Sequence, residues 1–192
     1  MAVLAALALA TLLAGCVSAP RSSSNAMPWQ QSHAALQQQA SYQWSGRVAV
    51  AAGSEGFSSG IGWQQQQADT HLTLSGPLGV AAQLDYVGGE LRYADRDGRK
   101  LTGSEAEQAL AGMLGFELPL AQLRYWMLGV DDPSQPAEIR LDEAQRLASL
   151  TQSGWQIDYP AWRAEGGRWL PERVVLSRAQ LRVKVLISQW TL

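Results

Sequence analysis

The sequence predicts a mainly β protein of the α+β class, an antiparallel sheet curved into a barrel or half-barrel, with helices inserted mid-chain over its mouth. Three observations carry this. From Tyr42 to Tyr93 apolar and polar residues alternate with a period of two, interrupted by Gly- and Pro-rich turns. The same alternation returns after Asp132-Pro133-Ser134-Gln135-Pro136 and runs to the C-terminal end. Between the two blocks lie two short stretches with apolar residues at helical spacing. A sheet of that many strands has edges to protect, and strong curvature into a barrel or half-barrel does so.

In chain order, Trp29 to Ala40 predicts a helix, with Trp29, Ala35, Leu36 and Ala40 apolar among glutamines and Pro28 just before it, where proline is tolerated. Trp44 to Val50 and Gly60 to Gln65 predict strands, separated by a Gly/Ser-rich turn over Gly53 to Ser59. Two alternating runs, Leu72-Thr73-Leu74 and Val80 to Leu84, flank the tight connection Ser75-Gly76-Pro77-Leu78-Gly79. Glu90 to Ala94 follows Gly88-Gly89, a strong hairpin signal, and Asp95-Arg96-Asp97-Gly98 closes that strand. The last stretch resembles the start of a calcium loop, but its glycine comes too early and the closing glutamate is missing, so it reads as a plain turn. Ser104 to Leu114 predicts a helix with early carboxylates, Ser104 and Glu107 at capping-box spacing, and a stop at Gly115. A second helix is predicted from Pro119 to Leu128, ending at Gly129. Strands are expected at Leu147 to Thr151, Gly154 to Tyr159, Val174 to Ser177 and Arg182 to Ile187, with Pro160 to Pro171 as a loop carrying Trp162 and Trp169.

The N-terminus has its own pattern. Val3 to Leu13 is apolar but shorter than the roughly 20 residues a membrane-spanning helix needs. Leu12-Leu13-Ala14-Gly15-Cys16 follows and resembles a bacterial lipobox, in which the cysteine is acylated and becomes the new N-terminus; no Lys or Arg precedes the apolar run. Cys16 is the one cysteine, so no internal disulfide can form. Val17 is not the aspartate that resembles an inner-membrane retention signal, which points the anchor to the outer membrane. Val17 to Pro28, rich in Ser, Ala and Pro, has the composition of a flexible tether. The chain therefore divides into a leader over 1–15, a lipidated cysteine and tether over 16–28, and one folded domain over 29–192.

Composition excludes several function classes. A formal net charge of −2 offers no electrostatic support for nucleic acid. His33 and His71, the two histidines, do not sit at metal-ligand spacing, and no nucleotide-phosphate motif is present. No enzyme, metal or cofactor is indicated. Eight Trp against two Phe suit half-wet pockets or an interaction surface, because indole combines a large apolar area with one N–H. Leu78 stands out as an apolar residue at a turn tip, where burial worth roughly 1.5–3 kcal/mol is forgone if it stays in water. Either it folds onto the core, or it meets an apolar partner such as a membrane.

Several of these features occur together and in order: the lipobox, the Ser-rich tether, Trp29 opening a Gln-rich helix, Gly62-Trp63-Gln64-Gln65, Leu74-Ser75-Gly76-Pro77-Leu78-Gly79, Leu123-Arg124-Tyr125-Trp126-Met127-Leu128-Gly129, and a closing Val183-Lys184-Val185 strand that ends in Trp190. Over nearly the whole mature chain this resembles the LolB family of outer-membrane lipoprotein receptors. The resemblance implies an incomplete antiparallel β-barrel with a helical lid over an apolar cavity. It implies a monomer without catalysis or cofactor, anchored through Cys16 in the inner leaflet of the outer membrane. That monomer would accept lipoproteins from the periplasmic carrier LolA by holding their acyl chains, and would insert them into the membrane. On this reading Trp63, Leu72, Leu74, Leu110, Leu114, Leu123, Trp126, Met127 and Trp155 are candidates to line the cavity. Pro77, Leu78 and Gly79 form a loop that meets the bilayer. The contrasting expectation is a lipid-anchored adaptor that binds another envelope protein through a Trp-rich surface.

Overall fold

The computed structural model describes residues 28–192, apart from Gly115 and the side chains of Met113 and Leu114. The leader, Cys16 and nearly all of the tether lie outside the described residues. The elements run α1 (Trp29–Gln37), β1 (Ser41–Ala52), β2 (Glu55–Gln66), β3 (Asp69–Gly76), β4 (Gly79–Val87), β5 (Glu90–Asp95), β6 (Lys100–Thr102), α2 (Gly103–Leu114), α3 (Leu120–Trp126), β7 (Ala137–Leu141), β8 (Leu147–Gln152), β9 (Trp155–Glu165), β10 (Arg168–Arg178) and β11 (Leu181–Thr191). All strands join one open antiparallel sheet in the order β6-β5-β4-β3-β2-β1-β11-β10-β9-β8-β7.

This order has a simple origin. The first six strands form a meander growing outward from β1, and the last five form a second meander ending in β11. Pairing β1 with β11 welds the two meanders at the sheet's centre. The free edges, β6 and β7, then lie at opposite ends of the sheet yet are consecutive in sequence, so the segment carrying α2 and α3 must run from one edge to the other. It does so across the apolar face. Side chains from β1 to β5, α2, α3 and β8 to β11 form a single buried cluster.

The pairing of β1 with β11 is irregular. The register slips between Ser45 and Gly46, so that Ser188 is left without a partner. A Cβ built on Gly46 would lie 1.9 Å from the Leu186 carbonyl oxygen, a distance no side chain can occupy. Gly46 is therefore there for close backbone approach.

The structure corrects several expectations. Pro160 to Pro171 is not a loop: β9 and β10 run through it and turn at Gly166-Gly167. Both glycines have positive φ, +55° and +77°, as the hairpin twist demands. The prolines are tolerated because the β9–β10 register is irregular beside them, with shifts between Pro171 and Arg173 and between Arg173 and Val175. The Gly53 to Ser59 turn shrinks to Gly53-Ser54, since β1 pairs with β2 as far as Ala52 and Glu55. α1 ends at Gln37 rather than Ala40, and β6 and β7 add two short edge strands that sequence alternation did not reveal. Short edge strands carry little periodicity but help to blunt a sheet edge.

Gly46→Ala is expected to fold less stably by about 3 kcal/mol, because the new methyl must push β1 from β11. For a domain of this size the melting temperature should fall by roughly 6–12 °C. An unchanged thermal melt would show that the two meanders do not need this contact.

Candidate functional site: an apolar cavity under the crossing helices

A cavity of about 90 Å³ lies between the concave face of the sheet and the crossing segment. Its wall is made by inward-facing residues of β1 to β4 (Val48, Ile61, Trp63, Leu72, Leu74 and Leu84 among them), by Trp155, Leu176 and Val185 across the weld, and by Leu110, Phe116, Leu118, Leu123 and Met127 from above. Every lining side chain is apolar or aromatic, so a water inside would find no polar partners. The period of two places these residues on one face, and helical spacing adds Leu110 from α2 and Leu123 from α3.

Of the residues proposed from sequence, Trp63, Leu72, Leu74, Leu110, Leu123, Met127 and Trp155 are on this wall. The side chain of Leu114 lies outside the described residues. Trp126 is not on the wall. It is fully buried behind it, and its indole N–H donates to Gln152 Oε1 at 2.8 Å. Sequence reasoning missed Phe116 and Leu118, which sit between the two helices without periodicity, and passed over Gln152.

Gln152 explains how α3 is held. It is the last residue of β8, only 2% exposed, and all its hydrogen-bonding capacity is used. Oε1 accepts from Trp126 Nε1 and from the Asp132 backbone N–H at 3.0 Å. Nε2 donates to the carbonyls of Asp132 and Gln135, both at 2.9 Å. Two phenols add to this. Tyr159 donates to the Trp126 carbonyl at 2.9 Å and Tyr42 donates to the Arg124 carbonyl. Burial pushes both hydroxyls well above the usual tyrosine range, so they stay protonated donors. α1 completes the attachment: Trp29 Nε1 donates to the Gly129 carbonyl at 2.7 Å, His33 Nε2 meets Asp131 Oδ1 at 2.6 Å, and Gln37 Nε2 donates to the Asp131 carbonyl at 3.1 Å.

The aromatic wall carries one feature that is not satisfied. Trp44 and Trp63 stack across β1 and β2 with centroids 5.8 Å apart and an 11° interplanar angle. The buried Trp44 indole N–H finds no hydrogen-bond partner among the described residues, whereas the Trp63 indole lies beside the Tyr42 hydroxyl. A buried donor left unpaired costs about 1–3 kcal/mol. Seven of the eight tryptophans are buried, and Trp169 is partly so. The described residues therefore present no Trp-rich surface of the kind an adaptor would use.

At one end of the sheet the β3–β4 hairpin projects. Gly76 pairs with Gly79, leaving Pro77 and Leu78 as the two-residue tip. Leu78 is 82% exposed and Val80 is 48% exposed. Leu78 does not fold back onto the core.

Comparison with known proteins places this geometry. Residues 40–190 match the family described as "Outer membrane lipoprotein LolB". The chain is 34% identical over 193 residues to the outer-membrane lipoprotein LolB of Pseudomonas aeruginosa, covering 97% of this chain and 94% of that one. It is 31% identical over 185 residues to the protein of the same name from Pseudomonas fluorescens, with 93% and 90% covered. Among solved structures, a LolA superfamily protein from Nitrosomonas europaea superposes with a TM-score of 0.55 at 10% identity, covering 87% of this chain and 94% of that chain. A putative outer-membrane lipoprotein-sorting protein domain from Vibrio parahaemolyticus gives 0.51 at 5% identity, with 84% and 89% covered. At those identities the two structures speak to the fold alone.

Gln152→Ala is expected to cost about 3 kcal/mol, since it strands three buried groups at once, the Trp126 indole N–H and the Asp132 N–H and carbonyl. Trp126→Phe, which strands only one side of a single bond, should cost less. Denaturant unfolding of both variants checks the order, and an inverted order would remove Gln152 as the anchor of α3.

Proposed function

The chain belongs to the LolB family, and from that premise we propose that it is an outer-membrane lipoprotein receptor that holds the acyl chains of its cargo in the cavity under α2 and α3. The observation that carries this reading is a wholly apolar, lidded cavity on the concave face of an open sheet. Diacylglyceryl and N-acyl chains have no hydrogen-bonding groups along their length, so an apolar wall without fixed polar partners suits them. The family sorts lipoproteins rather than catalysing a reaction, and no chemistry is required of the wall.

The cavity volume says what loading involves. An apolar cavity of about 150 Å³ admits one benzene, and the 90 Å³ found here is smaller still. Acyl chains therefore displace part of the wall. The C-terminal end of α3 is riveted by Gln152, Tyr159, Tyr42 and α1, whereas Leu110, Phe116 and Leu118 are held by apolar contact alone among the described residues. On this reading the α2 side and the α2–α3 connection yield, and α3 remains as the hinge.

The remaining roles follow from the sequence. Cys16 is the acylated anchor and residues 17–28 are the tether that lets the domain meet its donor, the carrier LolA, in the periplasm. With no nucleotide motif in the chain, cargo moves from carrier to receptor to membrane down a gradient of affinity. Leu78, held outward by the Gly76–Gly79 pair, enters the bilayer surface at delivery. An apolar tip gains free energy only on meeting such a surface.

A two-step assay tests the reading. Cys16→Ala protein should accept lipoprotein from loaded LolA in solution, and failure of the folded protein to take cargo would overturn the cavity reading. Leu78→Glu should fold within about 0.5 kcal/mol of the parent, as expected of an exposed turn, and should accept cargo normally. It should deliver that cargo poorly to liposomes, because a carboxylate resists the hydrocarbon. Normal delivery would remove Leu78 from the release step.

A further inference from the structure

We propose that the turn joining β5 to β6 is a cationic shelf that binds anionic phospholipid headgroups on the bilayer surface while the adjacent Leu78 tip enters the hydrocarbon. This rests on the membrane-facing reading of the Pro77-Leu78 hairpin and adds a recognition element to it. Arg96 and Arg99 lie in this turn, Lys100 opens β6 directly after it, and all three are exposed. None belongs to an ion pair among the described residues, where the pairs are made by His33, His71, Arg92, Arg146 and Arg163.

The turn's own carboxylates do not neutralise the three cations. Asp95 is half-exposed and tied into the turn: Oδ1 accepts the backbone N–H of Asp97 at 3.0 Å and of Arg99 at 2.9 Å, and Oδ2 accepts the Tyr93 hydroxyl at 3.4 Å. Asp97 is the one exposed carboxylate beside Arg96, Arg99 and Lys100. Three cations against two carboxylates, one of them engaged by backbone amides, leave this turn net positive on a chain whose net charge is −2.

The register sets the patch at a useful depth. Arg96 N donates to the Ala81 carbonyl at 3.1 Å, and Asp95 pairs with Ala82, so the shelf sits level with residues 81 and 82 of β4. Leu78 lies three residues further out along the same hairpin, up to about 10 Å at the rise of a strand. The headgroup layer on each side of a bilayer is roughly 5–8 Å thick, the difference between the whole bilayer and its hydrocarbon core. With Leu78 just inside the hydrocarbon, the long arginine and lysine side chains reach the phosphates. Val80, also exposed, lies between the two levels. Each cation near an anionic surface strengthens binding by on the order of fivefold.

The test uses the full chain carrying Cys16→Ala, a change that completes an Ala-x-Ala cleavage pattern with Ala14 and leaves the protein without acyl chains. Binding is measured by co-sedimentation with phosphatidylcholine vesicles and with vesicles that also contain phosphatidylglycerol. The parent should prefer the anionic vesicles. R96Q/R99Q/K100Q should lose that preference, on the order of a hundredfold in all, with unchanged binding to neutral vesicles and an unchanged circular dichroism spectrum. Asp97→Asn should move the other way, strengthening binding to anionic vesicles on the order of fivefold, and added salt should erase both differences. Leu78→Glu should weaken binding to both vesicle types. If Leu78→Glu has no effect on either, the loop reading itself fails. If Leu78→Glu weakens binding but the cation variant matches the parent on anionic vesicles, the shelf alone is overturned. Loss of cargo transfer from the carrier with vesicle binding intact would assign the cations to a protein partner and would also overturn it.

Discussion

The structure depends on one topological constraint: two meanders welded back to back leave consecutive strands β6 and β7 at opposite edges of an eleven-stranded sheet. Whatever joins them must travel the width of the sheet. Crossing the convex, polar face would leave the concave apolar face in water. Crossing the concave face buries Leu110, Leu120, Leu123, Met127 and their partners, at about 25 cal/mol for each Å² of apolar surface removed from water. A helical cover over the sheet thus follows from strand order and the hydrophobic effect together. The same crossing keeps the barrel from closing, because β6 and β7 never meet.

Under that cover the two kinds of attachment differ in kind. α3 is held by directional bonds from four separate elements, with Gln152 at the centre. Removing any one partner leaves a buried group unpaired, so this end resists displacement. The part made of Leu110, Phe116 and Leu118 is held by apolar contact, which a hydrocarbon ligand can replace almost like for like. On the proposed function, holding and releasing acyl chains needs such a division. A wall held everywhere by hydrogen bonds would not open, and one held nowhere would not close again. The Trp44 indole, whose N–H has no partner among the described residues, lies in this wall.

The surface at the hairpin end complements the interior. Leu78 and Val80 are exposed, and the neighbouring turn carries Arg96 and Arg99 while its Asp95 is engaged by backbone amides. On the proposed reading, the apolar tip reaches the hydrocarbon and the positive shoulder stays at the headgroups. Cavity and tip lie on one continuous hairpin: Leu72 and Leu74 of β3 face the cavity, and four residues beyond Leu74 the same chain reaches Leu78.

Much of this was determined by the sequence alone. Alternation identified most of the strands, because a half-buried strand must show a period of two. Glycine stops and helical spacing marked α2 and α3, and the Pro-Leu-Gly tip stood out because turn residues are normally polar. Seven of the nine residues expected at the cavity are on its wall for the same reason: they belong to inward faces. Tertiary structure decided the rest. Prolines at 160 and 171 argued locally for a loop, yet β9 and β10 absorb them at irregular pairings and turn at Gly166-Gly167. Trp126 looked like any other apolar residue of α3, and only the position of Gln152, 26 residues away, turned it from the cavity to the core. Which N–H groups go unpaired, and how far Leu78 stands beyond Arg96, depend on strand register. Register arises from contacts distant in sequence, and no local pattern records it.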